Sequence, residues 1–240
     1  MNTINRWFIG VRSLILVFPI TMFLSGVAVL ACVFDPGGLK VYRYVVRPWA
    51  RLILFITGVR VRTSGAENII QGEGPYVVVM NHQSQLDIPV LVYAVPLQLR
   101  FAGKRELMKI PVFGKAVIRM GHVLIDRKDR EHSLSGFDIL GEGAGSLGVS
   151  AVVAPEGTRS SDGNLLPFKK GAFVMAIDLG LPILPVTIKD TMNAMPKGSI
   201  TSKGGEVKVV IGRPILTSDM SYDDRVALMT DVHEIIERNL

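Results

Sequence analysis

Residues 59–240 predict an α/β domain built around a mainly parallel sheet, and three features of the sequence carry that expectation. Short apolar runs rich in β-branched residues recur at 59–63, 76–80, 99–103, 122–125, 149–154, 183–188 and 207–211, which read as strands. Helical patterns fill many of the gaps, around 89–94, 113–119, 131–141, 171–179 and 222–239. Three loops that follow strands are rich in polar residues, and in open parallel sheets functional groups gather beyond the strand ends.

Taken in order, the chain opens with a different kind of segment. Residues 14–34 are twenty-one residues without a charge, and as a helix they would extend about 31 Å, enough to cross a bilayer's hydrocarbon core. Pro19 and Gly26 weaken it as a straight rod, although membranes tolerate both. Arg6 and Arg12 ahead of it could open a signal peptide, but the run is too long for one and lacks a clean Ala-x-Ala site. Val29-Leu30-Ala31-Cys32 is a poor lipoprotein site because Leu30 is bulky. A retained anchor is the expectation.

Asp35-Pro36-Gly37-Gly38 signals a turn. After it, Arg43, Arg47 and Arg51 recur every four residues, the pattern of one basic helical face at a membrane interface. Pro48 disfavours helix at Arg47 and implies a kink. The two apolar segments fit either one span plus a surface helix or a hairpin dipping into one leaflet. Residues 1–58 are thus read as membrane-anchoring helices and 59–240 as the α/β domain.

Charge agrees with this division. Of the net +6, residues 1–70 carry eight Lys or Arg against Asp35 and Glu67, and the remainder carries nineteen of each sign. An excess confined to the hydrophobic third favours an anionic membrane surface over nucleic acid. Cys32 is the only cysteine, which excludes an intramolecular disulfide, a redox pair and a multi-cysteine zinc site.

The first polar loop is Asn81-His82-Gln83-Ser84-Gln85-Leu86-Asp87, between a strand and an apolar helix. In one continuous helix His82 and Asp87 would diverge by about 140°. They meet only if the strand ends near His82 and a helix starts between them, with Ser84 the natural N-cap. Such a pair makes a general base with an orienting carboxylate, while the same Ser84 and Asp87 also read as a capping-box-like pair of purely structural use. The second loop holds Asp126-Arg127-Lys128. The third is Pro155-Glu156-Gly157-Thr158-Arg159-Ser160-Ser161, where Arg159 offers a planar fork for phosphate and Thr158, Ser160 and the Gly157 backbone add donors. No Gly-x-Ser-x-Gly elbow, Walker loop or dinucleotide fingerprint is present, and Gly141-Glu142-Gly143-Ala144-Gly145 has the wrong spacing. Acyl transfer without a covalent intermediate is the simpler chemistry: a substrate hydroxyl, deprotonated by His82, attacks an activated carbonyl.

These residues resemble the bacterial-type 1-acylglycerol-3-phosphate acyltransferases of the PlsC kind, within the glycerolipid acyltransferase superfamily. His82 through Asp87 matches the family's His-four-residues-Asp block, Gly121–Arg127 the second, Pro155–Ser160 the third and Leu181–Val186 the fourth. Leu124 and Ala154 stand where aromatics are common, which bears on acyl-chain preference. Lys104-Arg105-Glu106-Leu107 with Pro111 and Gly114 resembles the segment between the first two blocks.

The resemblance implies the glycerolipid acyltransferase fold with an N-terminal membrane-binding two-helix element. It implies acyl transfer from acyl-CoA or acyl-carrier protein to the 2-hydroxyl of lysophosphatidic acid, with no metal or other cofactor. Carried over by position, His82 is the base, Asp87 its partner, and Arg127, Glu156, Gly157 and Arg159 bind the glycerol phosphate, with Lys104 a further candidate. His122, His132 and His233 have no matching role and read as structural or surface residues. The expected place is the cytoplasmic face of the inner membrane, among membrane lipids and without nucleic acid. A relative with another acceptor (a lysophospholipid, glycerol 3-phosphate or a lyso-ornithine lipid) and a non-catalytic membrane-binding scaffold are the alternatives.

Overall fold

A computed structural model describes residues 3–70, 72–125 and 130–240, the side chains of 3, 130–135 and 138 excepted. Helix α1 (Thr3–Ala31) leads through a turn to a second helical stretch made of α2 (Leu39–Val41), a π turn (Tyr42–Val46) and α3 (Arg47–Thr57). There follow β1 (Val59–Ser64), β2 (Val77–Met80), α4 (Asp87–Ala94), β3 (Leu99–Lys104), α5 (Phe113–Arg119) and β4 (Val123–Ile125). Then come α6 (Arg130–Leu147), β5 (Ser150–Val153), α7 (Gly171–Leu179), β6 (Ile183–Lys189), α8 (Thr191–Ala194), β7 (Gly205–Ile211) and α9 (Arg225–Arg238).

The strands form one seven-stranded sheet in the order β1-β7-β6-β2-β5-β3-β4, parallel at every pairing except β6 with β7. Strands β2 and β5 are buried at every position, the signature of a sheet covered on both faces. Alternation then sorts their side chains. Val78 and Met80 join Leu54, Val90, Leu91 and Leu184 under α3 and α4, and Val77 and Val79 join Leu140, Phe173 and Val232 under α6, α7 and α9. Because β2, β3, β4, β5 and β6 run the same way, their C-terminal ends and following loops share one edge of the sheet.

The N-terminal helices are docked on this body rather than free of it. Arg12 of α1 donates from Nε to Ile56 O at 2.9 Å and from Nη2 to Phe55 O at 2.8 Å, satisfying carbonyls at the end of α3. Farther along, Trp49 Nε1 donates to Thr21 Oγ1 at 3.1 Å and Arg119 Nη1 to Val29 O at 2.9 Å. Along α1, Trp7, Phe8, Phe18, Phe23 and Leu30 are nonetheless exposed, and Phe34 just beyond its end is exposed too.

Two expectations for this region change. Arg47 is helical despite Pro48: its N–H reaches back five residues to Tyr42 O, and the proline falls at a π turn that accommodates its ring. Nor do Arg43, Arg47 and Arg51 form one outward basic face. Arg47 turns inward and donates to Val95 O and Leu97 O at 3.1 and 3.3 Å, a cation placed just past the C-terminus of α4.

Candidate active site

Strand β2 ends at Met80 because Asn81 takes over its pairing with a side chain. Asn81 Nδ2 donates to Ile188 O at 2.8 Å and Asn81 Oδ1 accepts from Ile188 N–H at 2.7 Å, so the amide stands in for a strand residue against β6. The backbone is thereby released to turn at His82. The His82 N–H donates to Glu156 Oε1 at 2.6 Å, and its carbonyl accepts from the Ser160 N–H at 2.8 Å. Both ends of the residue are clamped to the third loop.

His82 Nδ1 and Asp87 Oδ2 lie 2.7 Å apart. The same oxygen accepts the Gln83 and Ser84 N–H groups at 2.7 and 2.8 Å, and Oδ1 accepts the Thr191 hydroxyl. Asp87 is 0% exposed, so its charge is compensated by these donors and by the N-terminal end of α4. A carboxylate only accepts, which makes Nδ1 the donor and leaves the Nε2 lone pair as the basic site. Nε2 has no protein partner among the described residues, and the His82 side chain is 17% exposed. The spacing of five is therefore bridged by a turn at a strand end.

Ser84 departs from its expected role. The N-cap of α4 is Leu86, and Ser84 Oγ instead accepts the Leu86 N–H at 3.2 Å while donating to Met195 O at 2.7 Å. The half of the capping box that survives is the Asp87 carboxylate on the Ser84 N–H, and it serves to hold the dyad.

In the third loop, Gly157 has φ +71°, a left-handed conformation that a side chain would strain. Glu156 is buried, and its second oxygen accepts the Leu166 N–H at 3.0 Å. Burial pushes its carboxyl pKa up while the two backbone donors pull it back. With both oxygens engaged by the backbone, Glu156 brackets two loops together. Thr158 is exposed and Arg159 half-buried. Arg159 Nη1 is buried without a hydrogen-bond partner among the described residues, an expensive state for a guanidinium that a ligand oxygen would relieve.

Lys104 sits at the same sheet edge, but β5 separates its strand from β2, and it pairs with Glu106 at 3.0 Å. It does not reach the dyad. Arg127 and the His132 side chain lie outside the described residues. His122 accepts the Phe101 N–H at 3.0 Å, and burial together with the Arg100 charge pushes it down to about 3, so it stays neutral and structural. His233 packs edge-on against Phe168.

Two contributors carried no local signal: Thr191, in a helix of four residues, and Lys197, whose ammonium donates to Arg159 O at 2.7 Å. A cavity of about 90 Å³ opens beside the loop among Gly103, Ile125, Phe137, Pro155 and Gly157, but neither His82 nor Asp87 lines it.

Comparison with known proteins shows the family. A family model described as Acyltransferase matches residues 60–189. The chain is 36% identical over 186 residues to the chloroplastic 1-acyl-sn-glycerol-3-phosphate acyltransferase BAT2 of Brassica napus, covering 77% of this chain and 53% of that one. It is 30% identical over 207 residues to human 1-acyl-sn-glycerol-3-phosphate acyltransferase alpha, covering 86% and 72%. The chain thus spans about half the length of the plant relative. Among solved structures, the 1-acyl-sn-glycerophosphate (LPA) acyltransferase PlsC of Thermotoga maritima matches with TM-score 0.81 and 29% identity, over 100% of this chain and 96% of that one.

Proposed function

The chain belongs to the acyltransferase family, and from that premise we propose that it transfers a fatty acyl group to the 2-hydroxyl of lysophosphatidic acid, forming phosphatidic acid. The observation that carries this is the open Nε2 of an imidazole held by a buried carboxylate, beside a loop whose Arg159 Nη1 has no partner among the described residues. The solved relative is named an LPA acyltransferase, and it matches along the whole of this chain.

In this reading, His82 Nε2 takes the acceptor hydroxyl's proton as its oxygen attacks the thioester carbonyl. The tetrahedral intermediate collapses, the C–S bond breaks, and the imidazolium returns the proton to the leaving thiolate. Asp87 holds the ring and stabilises its transient charge. Arg159 takes the acceptor's phosphate, and Glu156 keeps that loop in register with His82. The sequence so written calls on no prosthetic group. Acyl-CoA and acyl-carrier protein both supply the thioester.

Both lipids live in the bilayer, and the exposed aromatic side of α1 fits its surface. Because α1 is bonded to the body from Arg12 to Val29, it lies along the membrane in this reading, with its apolar side down, and does not stand across it. The catalytic domain sits on the cytoplasmic face, where acyl thioesters are made.

Thiol release from acyl-CoA tests the proposal with lysophosphatidic acid, lysophosphatidylcholine and glycerol 3-phosphate as acceptors. Release should require lysophosphatidic acid. Arg159→Ala should raise the KM for that acceptor roughly 10- to 100-fold, the worth of a charge-assisted hydrogen bond. Unchanged acceptor kinetics would remove Arg159 from the phosphate site, and preference for another acceptor would refute the substrate.

A further inference from the structure

Between α8 and β7 the chain forms a strap that passes beside the catalytic loop. Ser84 Oγ donates to Met195 O at 2.7 Å, and the Ser199 N–H closes a turn on Pro196 O at 3.0 Å. Just ahead, the Thr191 hydroxyl donates to Asp87. The backbone carrying Lys197 is therefore fastened to the same loop that orients His82. From it the Lys197 ammonium reaches Arg159 O at 2.7 Å and Thr158 Oγ1 at 3.5 Å.

That placement is costly without a ligand. An exposed lysine gives up rotamer freedom to hold one carbonyl, beside an arginine of like charge. Neither Lys197 nor Arg159 has a carboxylate within ion-pair distance among the described residues. The two acids nearest Arg159 in sequence are both engaged elsewhere: Glu156 accepts from the backbone of His82 and Leu166, and Asp162 from Ser160 and Asn164. Two cations without counter-charges, one of them with a buried and unpartnered N–H, define a place for an anion.

We propose that Lys197 is a further specificity-determining residue, binding the acceptor's phosphate monoester together with Arg159. This deepens the reading of a lysophosphatidic acid acceptor and rests on it. Of its three ammonium donors, one holds the Arg159 carbonyl, a second makes only a long contact to the Thr158 hydroxyl, and the third is open to a phosphate oxygen, while the guanidinium fork takes the remaining ones. A phosphate monoester also occurs on the ribose of coenzyme A. The acceptor is favoured by its own chemistry: its reacting hydroxyl is on the carbon next to the one bearing the phosphate, so both must lie near the imidazole. The Arg159 loop is near it, since Ser160 N–H donates to the His82 carbonyl. The ribose phosphate is a whole pantetheine arm from the thioester.

The test is steady-state kinetics of the full chain in lipid vesicles, with each substrate varied at saturation of the other, for wild type, Lys197→Met and Lys197→Arg. Lys197→Met should raise the KM for lysophosphatidic acid about tenfold, leave the KM for acyl-CoA within about twofold, and hold kcat within about threefold. Lys197→Arg should recover most of the loss. A rise confined to the acyl-CoA KM would overturn the proposal by assigning Lys197 to the donor's phosphate. So would a kcat loss with a lowered melting temperature that arginine fails to rescue, which marks a structural brace. If wild type depends on lysophosphatidic acid and Lys197→Met shifts nothing, this inference alone falls. If wild type ignores that acceptor, the inference falls together with the reading beneath it.

Discussion

His82→Ala is expected to lower acyl transfer to lysophosphatidic acid roughly a thousandfold, the loss that follows from removing a positioned general base. Folding should survive the change. The clamps on this residue are backbone ones, to Glu156 and Ser160, and alanine keeps both. Asp87 loses one donor and retains the Gln83 and Ser84 N–H groups and the Thr191 hydroxyl. Thiol-release rates read beside thermal unfolding check both halves. A melting temperature close to wild type with activity collapsed is the expected pair. Retained activity would take His82 out of the mechanism.

Asp87→Asn should separate charge from geometry. An asparagine can place its amide oxygen where Oδ2 now accepts three donors and turn its NH₂ toward Thr191, whose hydroxyl can rotate to accept. The loop and the ring orientation then persist, but the negative charge beside the forming imidazolium is gone. Activity should fall roughly a hundredfold or more, with stability little changed. Asp87→Ala is different. It strands the Gln83 and Ser84 N–H groups and the Thr191 hydroxyl in a buried site, and should cost about 3 kcal/mol or more in urea unfolding. If the asparagine variant keeps full activity, the Asp87 charge has no part in catalysis and the residue serves only to hold the Gln83 and Ser84 N–H groups.

Strands were readable because β2, β5 and β6 are buried on both faces, which leaves continuous runs of branched apolar residues in the chain. The helix that ran past its expected end is α6, which continues from Gly141 to Leu147. Glycine there reflects packing and not a stop: a Cβ on Gly141 would lie 2.2 Å from Leu179 Cδ1, so α6 and α7 approach through it. His82 and Asp87 were legible because a strand end and a helix start bring them together locally. Thr191 and Lys197 were not, since they bond residues 104 and 38 positions away and belong to a four-residue helix and the strap after it, too short to show a period. The bracing by Glu156 was hidden for a related reason. A motif shows that a carboxylate is present, and only coordinates show that the His82 and Leu166 backbones have already claimed it.

The most direct measurement is rapid mixing of enzyme with acyl-CoA, following thiol release and the intact mass of the protein before and after lysophosphatidic acid is added. A base that waits for the acceptor's proton predicts no burst and no acyl adduct at first. On addition of the acceptor, thiol and phosphatidic acid should then appear in equal amounts. One thiol released per enzyme without acceptor, with the mass of an acyl group gained by the protein, would show a covalent nucleophile and contradict the role given to His82.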